Sequence, residues 1–263
     1  MQSTQSMGGL GAMAKLWQSP ILEESFGLID AEFGPHAFSP EEYAVVRRVI
    51  HSTADFEFKN LMRFDGGAIT AGLTALAQGA PIVVDVTMVR QGVVGLVERT
   101  FNNPLWTAVS EGDPATPGRT RTETGLLRCL DKISGQRSSL IPSPKEKTPI
   151  PNPANCRGEV SSPANPGVMP GSGQTSGQTP GAVVVIGNAP PALMALCEEM
   201  EAGRVRPALV IGAPVGFVAV EASKQRLAPV AVPQIRVEGR KGGSPVAAAI
   251  LNALLVLAWE QQP

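Results

Sequence analysis

Apolar residues in this 263-residue chain fall into two kinds of run. Short unbroken ones, such as VVVI at 183–186 and ALVI at 208–211, suit strands covered on both faces, since an exposed face would demand a polar residue at every second position. Between them lie segments with helical spacing. In GAITAGLTALAQGAPIVVDVTMV, Gly79 is placed to stop a helix and Pro81 to open a strand, and ALMALCEEMEAGRVRPALVIGAPVGF repeats the arrangement with Gly203 and Pro207. GAVVVIGNAP and PQIRVEGRKGG supply two further strands. Helices alternating with doubly covered strands predict an α/β fold, a three-layer α/β/α sandwich with a mostly parallel central sheet. The pattern leaves the strand order open. Ligands of such sheets bind beyond the carboxyl ends of the strands, which directs attention to the loops GNAP, GAPVGF and GRKGGSP. Each loop alone is equally compatible with glycines and prolines that only shape a turn.

Two segments depart from the pattern. Residues 140–180 are crowded with Pro, Gly, Ser, Asn and Gln and hold no aromatic residue, so they lack the apolar surface to offset their ordering entropy and predict a disordered insert. A tolerated surface insertion explains it better than a regulatory element. The expected organisation is a loose N-terminal arm at 1–18 and a single interrupted domain at 19–263. The arm has one lysine and no sustained apolar stretch, unlike a secretory signal. AAAILNALLVLAW, broken by Asn252, is too short to span a bilayer and predicts a buried terminal helix. A formal net charge of -1 and a pI near 6.2 argue against nucleic acid as a partner. Cys129, Cys156 and Cys197 are odd in number and widely spaced, fitting neither a disulfide framework nor a zinc site. A reducing, cytoplasmic setting without a bound metal is the expectation.

Candidate chemistry centres on a helix start. Ser39, Pro40 and Glu42 spell a hydroxyl cap, a proline in the first turn and the acid of a capping box. In the helix that follows, Val45, Val46, Val49 and Ile50 cover one side, while Arg48, His51 and, if the helix continues, Asp55 gather on another. An imidazole with an ordinary pKa of about 6.5 can give and take a proton near neutrality. Arg48 would lower that value; Asp55 or the helix C-terminus would raise it. An ordinary surface or dimer-interface histidine fits the same pattern. His36, in a Gly-Pro turn, reads as structural.

SPILEESFGLIDAEFG, EEYAVVRRVIHSTADFEF, GAPIVVDVTMV, GRTRT, IGNAPPAL, RPALVIGAPVGFV and GRKGGSPVAAAILNAL occur in that order. Together they resemble the precorrin-8X methylmutase family of cobalamin biosynthesis, from about Ser19 to Ala258 excluding the insert and part of 96–118. The resemblance implies a methyl shift from C-11 to C-12 of a corrin ring, giving hydrogenobyrinic acid or, with cobalt, cobyrinic acid, without a methyl donor or other cofactor. It implies that His51 is the acid-base residue, protonating the macrocycle to ease a [1,5]-sigmatropic shift and then recovering the proton. Ser52 departs from the threonine or alanine common beside that histidine. Ser25, Arg48, Arg121, Asn188, Arg240 and Lys241 match positions expected to contact the substrate, with Thr122 in place of the usual serine. Asn188 and Lys241 precede expected helix starts, where free N–H groups favour carboxylates; capping is an equal role for Asn188. A homodimer is implied as well. The competing expectation is a non-catalytic tetrapyrrole carrier on the same scaffold. A hydrolase is disfavoured because no G-x-S-x-G elbow follows any strand.

Overall fold

The computed structural model describes residues 19–65, 67–139 and 181–262. The arm expected at 1–18 and the insert expected at 140–180 lie outside the described residues. Helix α1 (Pro20–Phe33) opens with the Ser19 hydroxyl accepting the Leu22 N–H at 3.2 Å. Helix α2 (Pro40–Thr53) opens with the expected capping box: Ser39 Oγ accepts the Glu42 N–H at 3.1 Å, and the Glu42 carboxylate accepts the Ser39 N–H at 2.9 Å. The first half then continues through α3 (Phe58–Leu61), β1 (Met62–Asp65), α4 (Ala68–Ala77), β2 (Ile82–Val84), α5 (Thr87–Arg99), β3 (Leu105–Thr107), α6 (Ala108–Glu111) and α7 (Arg121–Ser139). The second half holds β4 (Val183–Ile186), α8 (Pro190–Glu201), β5 (Leu209–Gly212), α9 (Val220–Leu227), β6 (Gln234–Val237) and α10 (Ser244–Glu260). Gly79 and Gly203 follow α4 and α8 with φ of 74° and 70°, the left-handed geometry that ends a helix and suits glycine.

The six strands run in the order β1-β6-β5-β4-β2-β3, parallel from β6 to β3, with β1 antiparallel at one edge. Alternation along each strand feeds two cores. Ile82, Val84, Val183, Val185, Leu209 and Ile211 join a cluster with α2, α4, α5 and α10. Val83, Val184, Ile186 and Val210 join another with α7 and α8. This gives the expected three-layer sandwich and explains why the strands read as unbroken apolar runs. Helix α10 is buried along most of its length, each fully covered Leu or Ile contributing roughly 1.5–3 kcal/mol. Asn252, which breaks its apolar run, donates to the Gly92 carbonyl of α5 at 2.8 Å. Among the described residues no helix is long and apolar enough to cross a membrane.

The chain leaves β2 for β3 in one direction and β4 for β5 in the other. The connections therefore diverge between β2 and β4, opening a crevice at the carboxyl ends of the strands. His36 stacks on Tyr43 with ring centroids 4.5 Å apart and meets the edge of Phe33, a packing role. Cys129 and Cys197 are buried free thiols, and burial pushes them up to about 12 and about 11; Cys156 lies outside the described residues.

Candidate active site

His51 occupies the last turn of α2, and Ser25 of α1 faces it with Oγ 2.7 Å from Nδ1. Helix α1 is fastened alongside by Asp30, which accepts from Tyr43 and pairs with Arg47 at 2.9 Å. The Arg47 guanidinium lies 4.3 Å from the centre of the Phe26 ring, and Phe26 in turn meets the imidazole edge-on at 5.6 Å. A serine hydroxyl donates to a neutral Nδ1 and accepts from a protonated one. The ring therefore keeps its orientation in both charge states, and Nε2 has no protein partner among the described residues. Burial, and then the charge of Arg48, hold the imidazole pKa below 6.5.

Arg48 sits one turn back on the same side. It forms no ion pair within 4 Å among the described residues, and burial lowers its own pKa. Its side chain borders a cavity of about 80 Å³ between α1, α2 and α10, with Leu22, Phe26, Val256 and Glu260. The helix does not continue to Asp55. The Ser52 and Thr53 hydroxyls bond back to the Val49 carbonyl, and Ala54 turns left-handed at φ 53°. Asp55 thereby leaves the imidazole's side and meets Lys241 Nζ at 2.6 Å, which Glu57 also reaches at 2.5 Å. The hydrogen bond from Lys241 holds the Asp55 carboxyl below its ordinary pKa. The upward influence expected of Asp55 on the histidine is replaced by a tie between the end of α2 and the β6–α10 loop.

Two buried charges missing from the sequence reading shape the carboxyl edge. Asp85, fully buried just after β2, accepts N–H groups from Val86, Gly187, Asn188 and Ala189 at 2.9, 3.1, 2.6 and 2.9 Å. Burial pushes its carboxyl above the ordinary range, while the four amide donors pull the other way. The amides of the GNAP loop, expected to be free for a ligand, are thus taken, and the helix cap is Ala189 without a side-chain bond. Lys224 of α9, 2% exposed, donates to the carbonyls of Gly239 and Lys241 at 2.8 and 2.7 Å. The signal for Asp85 was present: an acid directly after the run IVV, where a strand ends. Nothing in the sequence around Lys224 marks it as buried.

Arg240 approaches Glu221 at 3.5 Å and lies 5.9 Å from the ring centre of Phe217. Phe217 and Val218 project from the β5–α9 loop at 87% and 84% exposure, a hydrophobic surface at the mouth of the edge. Arg121, the first residue of α7, pairs with Asp113 at 2.7 Å. Its helix packs on the opposite face of the sheet from α2. The fold thus unites Ser25, Arg48 and His51, links Lys241 to them through Asp55, and sets Arg121 in the other helical layer. Among the described residues no group of three or more His, Cys, Asp or Glu side chains could hold a metal ion.

A family model described as precorrin-8X methylmutase matches residues 20–138 and 171–257. The cobalt-precorrin-8 methylmutase of Synechocystis is 45% identical over 258 residues, covering 93% of this chain and 98% of that protein. The precorrin-8X methylmutase of Pseudomonas aeruginosa is 34% identical, covering 89% and 93%. Among solved structures, the precorrin-8X methylmutase of Thermus thermophilus superposes with a TM-score of 0.67 at 38% identity, covering 91% of this chain and 98% of that one.

Proposed function

The chain belongs to the precorrin-8X methylmutase family, isomerases that shift a methyl group from C-11 to C-12 in cobalamin biosynthesis, and we propose that His51 moves the proton in that reaction. The observation that supports this is the Ser25 hydroxyl at 2.7 Å from Nδ1, which leaves Nε2 as the nitrogen that addresses the ring. The protonated imidazole delivers its proton to the conjugated macrocycle, the methyl group migrates while the ring system is cationic, and the same nitrogen recovers the proton. Loss of the Nε2 proton leaves the neutral ring with its remaining proton on Nδ1, so the Ser25 hydroxyl accepts from Nδ1–H in both steps and the imidazole need not turn between them. A lowered pKa makes the imidazolium a stronger acid at the cost of a smaller protonated fraction at neutral pH. Such a group supplies about 10²- to 10⁴-fold, and confinement of the substrate supplies the remainder.

Ser25 thus serves the imidazole in this reading. Arg48, Arg240 and Lys241, with the side chain of Asn188, address the carboxylate and amide arms of the ring; Arg121 addresses an arm from the other layer. The cobalt-bearing substrate is the proposed natural one, supported by the similarity to the Synechocystis enzyme. A cytoplasmic homodimer is also proposed. The exposed Ile21 and Leu28 on α1 support an interface there, and sedimentation at micromolar concentration tests it.

Replacing His51 by alanine is expected to abolish conversion of cobalt-precorrin-8, followed by its absorption spectrum, while binding of the product persists. Full turnover in that variant overturns the assignment. Running the wild type with cobalt-bearing and metal-free substrates side by side tests the substrate form, equal kcat/KM for the two being the result that counts against it.

A further inference from the structure

The loop between β6 and α10 has a construction that the proton-transfer proposal does not use. Lys224 reaches it from α9 and donates to the carbonyls of Gly239 and Lys241, with no carboxylate within 4 Å of its ammonium among the described residues. In a trans peptide the C=O and the following N–H point in opposite directions. Pulling those two carbonyls inward turns the N–H groups of Arg240 and Gly242 outward, and neither has an acceptor among the described residues. The loop is locked from the other side as well. Gly243 N–H donates to the Ala213 carbonyl at 2.8 Å, and Gly216 N–H donates to the Arg240 carbonyl at 3.3 Å. Gly242 sits at φ 148°, where a Cβ would come within 2.3 Å of the Ala213 oxygen, so only glycine permits the approach.

We infer that Lys224 is a positioning residue for the methyl shift: by holding the Gly239 and Lys241 carbonyls inward, it presents the Arg240 and Gly242 N–H groups to a carboxylate arm of the corrin substrate. The inference rests on the reading that the ring lies over the carboxyl edge of the sheet. The Gly187–Ala189 loop cannot do the same, since Asp85 has already taken its amides. One loop offers donors and the other has none left.

Amide hydrogen exchange of the full chain, with and without saturating hydrogenobyrinic acid, tests this directly. Exchange at Arg240 and Gly242 is expected to slow by about tenfold or more on binding, while Gly187, Asn188 and Ala189, already bonded, remain unchanged. Unchanged exchange at Arg240 and Gly242 in saturated protein overturns the inference. Lys224→Met is expected to raise KM and the product Kd by about tenfold with kcat within about threefold, and Lys224→Arg to recover most of that loss. A folded Lys224→Met with unaltered KM overturns it too; should that variant fail to fold, the exchange experiment on the wild type decides. Repeating the exchange measurement in His51→Ala separates the two proposals. Protection at Arg240 and Gly242 together with full turnover removes only the proton role of His51, and absent protection with turnover abolished removes only the role of Lys224.

Discussion

Two loops at the carboxyl edge, residues 187–189 after β4 and 239–243 after β6, are each secured by one buried charge, and the charges have opposite signs. Asp85 consumes amide donors; Lys224 consumes carbonyl acceptors. Both loops open on a glycine and both precede a helix with proline in its first turn, so they look alike in sequence. Their capacity toward an anion differs because a peptide group that has spent its N–H on the protein has none to offer a ligand. In each case burial pushes the charge toward neutrality, raising the Asp85 carboxyl and lowering the Lys224 ammonium to about 8. Neither charge sits there for its own stability; each is kept by the backbone groups it satisfies.

The severest way to break this comparison is Asp85→Ala, which strands several buried donors at once. A loss of about 3–5 kcal/mol is expected in urea unfolding, and a loss below about 1 kcal/mol would mean the loop does not depend on the carboxylate. Lys224→Met strands two carbonyls but fills the space with an apolar chain, so about 1–3 kcal/mol is expected. Its pH dependence sharpens the point. Folded Lys224 titrates near 8 and an unfolded lysine near 10.5, so between those values the unfolded chain binds more protons than the native one. Stability at this site therefore rises with pH across that window, and the unfolding free energy of wild type relative to Lys224→Met should increase from pH 8 toward pH 10.5. A flat difference would show that the ammonium is not desolvated. The smallest effects belong to the exposed side chains. Lys241→Ala should raise KM by roughly tenfold, because it removes a cation and leaves Asp55 and Glu57 facing an anion-binding loop, whereas Asn188→Ala should change KM by less than about threefold. Equal effects of the two substitutions would erase the distinction between the loops.

Helix α2 shows how far local sequence reaches. Its start was legible because Ser39, Pro40 and Glu42 act within one turn, on atoms they alone satisfy. Its end was not: Asp55 had the spacing to stay beside His51, but a left-handed Ala54 sends it to Lys241, 186 residues away in sequence. The hydrogen bond of Ser25 to the imidazole, made by the antiparallel packing of α1 on α2, joins residues 26 apart and had no local signal either. Arg121 and Arg48, equally basic in the sequence, are assigned to opposite layers by the sheet.

Apolar periodicity, helix caps and breaker glycines by themselves determined the layers, the strand-and-helix alternation and the candidate histidine, since each acts over a few residues or through a single repeating period. The pairing of Ser25 with His51, the burial of Asp85 and Lys224, and the contrast between the two loops were decided only by tertiary structure. Those depend on which peptide groups are left unsatisfied after distant strands have been set side by side, and the strand order that governs this has no local signature.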